Sequence, residues 1–153
     1  MKQIIEFINE KLIINKNTKV EKYHYHPKDN KELKELVNKL IEERGNEADL
    51  NDIDTSKIDD MNRIFRDSDF DGNISEWDVS NVDNMFAMFY NSAFTGKNGD
   101  ISNWDVKNLR YAVNMFKKSQ FSGDISNWDV SNLEYSSGMF VDCPLEKNPP
   151  KWN

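Results

Sequence analysis

A stretch of this chain has the spacing of a calcium-binding loop. In Asp67-Ser68-Asp69-Phe70-Asp71-Gly72-Asn73-Ile74, carboxylates stand at alternate positions, glycine is sixth, and Asp78 falls at the twelfth. A hard cation held by oxygen ligands needs that order, with the glycine for the sharp turn. Three of those residues return elsewhere in the chain, however. Gly96 and Gly123 match Gly72, Ile101 and Ile125 match Ile74, and Asp105 and Asp129 match Asp78. Only Asp67, Asp69 and Asp71 are peculiar to this stretch, and their counterparts include Ala93, Lys118 and Gln120, which cannot form such a site. The stretch after Trp77 reads as a strand and not as an exiting helix. The segment is read as a solvated acidic turn, with calcium binding as the alternative.

Other chemistry is sparse. His24 and His26 lie two apart, on one face if the segment is extended, but no cysteine or third histidine completes a zinc site. Cys143 is the only cysteine, so no intramolecular disulfide forms, and its place before Pro144 reads as structural. No Ser/His/Asp arrangement, phosphate loop or marked acid–base pair of carboxylates is present, so the chain reads as non-enzymatic and nothing implies a cofactor. The most informative polar set is Asp54, Asp78, Asp105 and Asp129. On strands stacked in register about 4.8 Å apart they would form a carboxylate ladder. Like charges that close need an offset. One is local: each Asp accepts a backbone N–H from the turn after it, as Asp-x-Ser sequences do. The other is functional: an acidic stripe for a basic or donor-rich partner, with Glu76, Asn103 and Asn127 alongside.

These residues are placed by an internal repeat. Gly72–Val82 (GNISEWDVSNV) returns as Asp100–Leu109 (DISNWDVKNL) and Gly123–Leu133 (GDISNWDVSNL). A degenerate first copy runs from Leu50 to Ile58, and a last fragment ends on Trp152. The steps Ile53→Trp77, Trp77→Trp104, Trp104→Trp128 and Trp128→Trp152 are 24, 27, 24 and 24 residues, the longer one carrying extra residues near Lys97-Asn98-Gly99. Ile101, Trp104, Val106 and Leu109 sit at i, i+3, i+5 and i+8, the leucine-rich spacing. Trp-Asp-Val predicts a short strand with Asp outward. Ser56-x-x-Asp59, Ser80-x-x-Asp83 and Ser131-x-x-Glu134 predict helix starts, broken at Lys107. The helices would bury Val82, Met85, Met88 and Phe89, with Ile58, Met61, Ile64 and Phe65 as the earlier set. Phe70, Phe94, Phe121 and Leu145 would plug the return turns, and Gly72, Gly96 and Gly123 would supply a tight-turn conformation. The fold class predicted is α/β: a short leucine-rich-repeat-like solenoid of about four units of 24–27 residues over 49–153, behind an N-terminal α+β cap over 1–48.

The recurring Met-Phe and Trp-Asp-Val pairs resemble the BspA-like leucine-rich repeats of bacterial surface proteins, over about residues 50–153. The resemblance implies an adhesion or interaction role, often secreted or lipid-anchored.

The cap does not repeat. Ile4, Ile5, Ile8 and Leu12 mark one amphipathic helix, Val20–His26 a short strand ended by Pro27, and Asp29-x-x-Glu32 opens a second helix with Leu33, Leu36, Val37, Leu40 and Ile41 on its face. Gly45 ends it. At the other end, Pro149-Pro150 beside Trp152 would blunt the last edge.

The formal net charge is −7, and it is uneven. Residues 1–48 carry 10 basic and 9 acidic groups, residues 49–153 carry 10 and 18. An acidic repeat half repels nucleic acid and suits a basic protein partner, besides aiding solubility. Glu6, Glu10 and Lys11 interrupt any secretory apolar stretch in Met1–Ile14, and no apolar run reaches membrane-spanning length, so a cytoplasmic location is expected. The function predicted is a protein–protein interaction module acting through the acidic repeat surface. The alternatives are a mobile-element-type inhibitor, for example anti-CRISPR-like, occupying the nucleic-acid surface of a host protein, and a bacterial surface adhesin fragment. The oligomeric state is left open.

Overall fold

A computed structural model describes residues 21–152. The helix expected from Ile4, Ile5, Ile8 and Leu12 lies outside the described residues, as does Val20. The described chain opens on an extended segment in which Tyr25 makes a single parallel bridge to Ile53. Helix α1 follows, Asn30–Arg44. Asp29 caps it by accepting the Glu32 N–H, and the Gly45 N–H donates to Ile41, so both ends are closed by the residues whose types favour caps. Its buried face is Leu33, Val37 and Leu40. Among the described residues no helix is long and apolar enough to cross a membrane.

The repeat does not build the expected α/β leucine-rich-repeat-like solenoid. Among the described residues α1 is the only helix, β-pairing is confined to isolated bridges, and there is no sheet. Instead, residues 49–72, 73–99, 100–123 and 124–147 form four irregular coils laid on one another in parallel, and 148–152 begin the same pattern again. One line of bridges runs Asp60, Asn84, Tyr111, Tyr135.

The stretches expected to be helical, such as Val82–Phe89, are runs of tight turns. In the second coil Met88 N–H donates to Met85 and Tyr90 N–H to Ala87 within the coil. The intervening N–H groups of Met85, Ala87, Phe89 and Asn91 donate across to Tyr111, Val113, Met115 and Lys117, at 2.8 to 3.0 Å. This alternation needs left-handed residues, supplied by Ala87 and Asn91 at φ 50° and 51° and repeated at Arg63 and Asp67, Asn114 and Lys118, Gly138 and Asp142. A helix would direct every N–H along its own axis. Spacing decides against it. The rings of Phe65, Phe89, Phe116 and Phe140 stack at successive distances of 5.5, 5.3 and 6.0 Å. Packed helices need about 8–10 Å between axes. The apolar residues assigned to the helices are nonetheless buried: Ile58, Met61, Ile64, Phe65, Val82, Met85, Met88 and Phe89 all lie in the core.

Trp-Asp-Val is not a strand either. Trp77 and Val79 point inward and Asp78 outward, as the alternation requires. Turns flank the triplet, however: Trp77 N–H donates to Ile74 and Val82 N–H to Val79. The phenylalanines expected as plugs do fill the returns, with Phe70, Phe94 and Phe121 buried in a second stacked column. Gly72 is needed for a reason other than φ. A Cβ there would collide with the Ala48 carbonyl oxygen and the Phe70 ring, so close approach, and not a left-handed conformation, excludes a side chain.

Candidate functional site

The outward residues of the tryptophan turns form one polar face, built from the backbone's need for acceptors. A tight turn leaves an N–H without a partner, and a short carboxylate or amide two residues earlier can reach it. Asp49, Asn73, Asp100 and Asp124 do this for residues 51, 75, 102 and 126 at 2.8 to 3.0 Å. Asp54, Asp78, Asp105 and Asp129 do it for Ser56, Ser80, Lys107 and Ser131 at 3.0 to 3.2 Å. Every member of the expected ladder therefore caps its own turn through Oδ1.

Side chains also join the coils here. The indole N–H of Trp77, Trp104, Trp128 and Trp152 donates to the carbonyl of Leu50, Ile74, Ile101 and Ile125 in the preceding coil, at 2.9 to 3.2 Å. Asn81, Asn108 and Asn132 donate to Ser56, Ser80 and Lys107 in the same way, at 2.6 to 2.8 Å. Sequence reading passed over these asparagines, although their recurrence three residues after each capping Asp was a usable signal.

Asp78, Asp105 and Asp129 are exposed, and so are Glu76, Asn103 and Asn127 between the two capping rows. Asp105 also meets Lys107 at 3.3 Å through Oδ2. The hydroxyl and N–H of Ser131 hold the Asp129 carboxyl below the usual carboxylate range, and Ser126 does the same for Asp124. Asp54 is half-buried, and its carboxyl is likewise lowered, by Ser56 first and then by His26.

At the α1 end this face changes character. Asp52, at the register position of Glu76, Asn103 and Asn127, receives both terminal nitrogens of Arg44 at 2.9 Å and lies 3.0 Å from His24 Nδ1. The Arg44 guanidinium is the main reason that its carboxyl is held down to about 2. His26 lies 3.3 Å from Asp54. Each histidine thus faces an aspartate, and the two do not converge on a shared metal position. Lys22, Arg44, Asp49, Asn51, Asp52 and Glu76 line a shallow polar cavity of about 260 Å³.

The calcium-loop residues are not brought together. Asp67 accepts from Asn91 at 2.8 Å, Asp71 accepts the N–H and hydroxyl of Thr95 at 2.8 Å, and Asp78 caps Ser80. Asp69 is exposed. Among the described residues no three His, Cys, Asp or Glu side chains are placed to hold a metal ion. Asp67 and Asp71 instead tie the first coil to the second. Cys143 is buried, which pushes its thiol up, and its Sγ accepts the Leu145 N–H at 3.4 Å. Ser68, Ser92 and Ser119 do the same in the earlier coils through Oγ.

Residues 31–152 match the family described as a Mycoplasma protein of unknown function, DUF285. No curated protein and no solved structure matches the chain.

Proposed function

The chain belongs to that family of Mycoplasma proteins of unknown function, DUF285, and from that premise we propose that it is a non-enzymatic module that binds a protein with a basic surface through its tryptophan-turn face. One observation carries the reading. Each capping aspartate commits Oδ1 to its own turn, and at Asp78 and Asp129 Oδ2 meets no protein donor among the described residues. At Asp54 that oxygen faces His26 and at Asp105 it meets Lys107, so the free outward oxygens stand in alternate coils, beside Glu76, Asn103 and Asn127. Such a row favours a partner carrying lysines or arginines at a matching interval. The uneven charge of the chain supports the same reading.

Asparagine separates the two jobs of these residues. Asn73 caps its turn as the aspartates do, at 3.0 Å. A triple variant Asp78→Asn, Asp105→Asn, Asp129→Asn therefore keeps the caps and removes the charge. Affinity purification from the host lysate at low and high salt is the test. Wild type is expected to retain its partner at low salt only, and the variant to lose it with an unchanged melting temperature. Equal recovery of the same partner by both proteins at both salt concentrations would falsify the proposal.

A further inference from the structure

The methionine–phenylalanine turns carry free charges of the opposite sign to those of the tryptophan turns. In the equivalent stretches 60–67, 84–91 and 111–118 the charged residues are Asp60, Arg63, Arg66, Asp67, Lys117 and Lys118. Both aspartates are occupied. Asp60 Oδ1 accepts the backbone N–H and side-chain amide of Asn62 at 2.8 Å, and its Oδ2 accepts from Asn84 at 3.4 Å. Asp67 accepts from Asn91 at 2.8 Å and meets Arg66 Nε at 3.5 Å. The cations are less committed. Arg63, Lys117 and Lys118 meet no carboxylate among the described residues. Arg66 uses only Nε on Asp67, and its terminal nitrogens make no hydrogen bond among the described residues. The guanidinium groups of Arg63 and Arg66 lie 4.7 and 5.1 Å from the ring centres of Phe86 and Tyr90, which holds them in place without consuming an acceptor. Arg66, Phe86, Ala87, Tyr90 and Asn114 line a cavity of about 170 Å³.

The two faces share an interval. Arg66 and Lys117 hold one register position in the first and third coils, with Tyr90 between them. The free Oδ2 atoms of Asp78 and Asp129 hold one register position in the second and fourth coils, with the Asp105–Lys107 pair between them. Each span is two coils of the same stack, so the two are equal.

We infer that the partner of the aspartate face is a second copy of this chain, whose Arg66 and Lys117 receive Asp78 and Asp129. One carboxylate enters the cavity at Arg66, and the Asp105–Lys107 pair comes to lie opposite Tyr90. This rests on the proposed role of the aspartate face and names its partner. An unrelated basic protein would have to match the two-coil interval, whereas a second copy has it by construction. Opposite charges in register favour the right pairing and penalise a shifted one. Two unlike faces meet, so a dimer keeps one of each unused, and association continues until a ring closes.

Sedimentation of the purified chain is the test. At low salt the average mass is expected to rise with concentration up to about 1 mM. In about 1 M salt, where charges are screened within about 3 Å, it should return to that of the monomer. Asp78→Lys with Asp129→Lys sets like charges face to face, and so does Arg66→Glu with Lys117→Glu. Each of these variants should be monomeric alone. An equal mixture should associate again, because lysine meets glutamate in one contact and native residues meet in the other. Asp78→Asn with Asp129→Asn keeps the turn caps, and should weaken association by about tenfold or more at an unchanged melting temperature. The inference is overturned if wild type stays monomeric at about 1 mM in low salt, if either reversed variant associates as wild type does, or if the mixture stays monomeric. A monomeric wild type that still holds a host partner through its aspartates would overturn this inference and leave the proposed function standing. Asparagine variants that keep both self-association and the host partner would overturn both.

Discussion

Along the tryptophan turns, neighbouring coils are joined by side chains: indole N–H groups, asparagine amides and the Thr55 hydroxyl, each reaching a carbonyl of the adjacent coil. Along the methionine–phenylalanine turns they are joined by the backbone, through alternate N–H groups pointed across by left-handed residues. Both sides bury aromatic columns, yet their tolerance to change must differ. A side-chain link needs one residue type and leaves its marks in the sequence. A backbone link accepts any residue that can hold the conformation, which is why Arg63, Ala87, Asn114 and Gly138 fill one and the same position.

Substitutions can break this contrast or sharpen it. The largest loss is expected for Phe116→Ala, at the middle of the phenylalanine column, where about 3–5 kcal/mol should disappear in urea unfolding. Trp104→Phe keeps a ring in the core but removes the donor to the buried Ile74 carbonyl. It should cost about 1–3 kcal/mol, and a loss as small as a few tenths would show that the indole bonds do not hold the tryptophan side together.

The pair at the α1 end adds a pH signature. Asp52 titrates at about 2, below the usual 3.8. Its contribution is therefore complete above about pH 4 and lost as pH falls from about 4 to 2. Arg44→Gln should lower stability at neutral pH by about 1 kcal/mol, after solvent screening, and flatten the acid slope in that window. Melting temperatures between about pH 2 and 6 for both proteins check it, and parallel curves would remove Asp52 from the account.

The smallest effect has the most telling sign. Lys118 is exposed at φ 59°. In a helix, Lys118→Gly would cost about 1 kcal/mol. In a left-handed turn it should stabilise by about 0.5–1 kcal/mol. A lowered melting temperature would restore the helical reading of these segments.

That sign test marks where the sequence was legible. The repeat, its register, the outward aspartates and the buried set were readable because side-chain identity carries them: Trp77, Val79, Met88 and Phe89 are buried as their types require. The caps were readable too, since Asp-x-Ser has few other uses. The secondary structure was not. Val82, Met85, Met88 and Phe89 recur at helical intervals, and a chain of turns with a left-handed residue at Ala87 buries the same positions. Ala87 and Arg63 give no sign of positive φ, because neither is a residue type that favours it. The helix is excluded by the ring spacing between coils, a property of the stack and not of any one copy. The Arg44–Asp52–His24 cluster was equally hidden, since it joins three segments that no short-range pattern connects.

Cys143 occupies the position where the other coils use serine, and it is the chain's one thiol. It is buried in the last complete coil, with its thiol pushed up by that burial. A stack held by nearest-neighbour contacts frays from its ends. Alkylation of this sulfur should speed up when that coil lifts away. The labelling rate is therefore a clock for the opening of that coil, readable by mass in the unmodified protein.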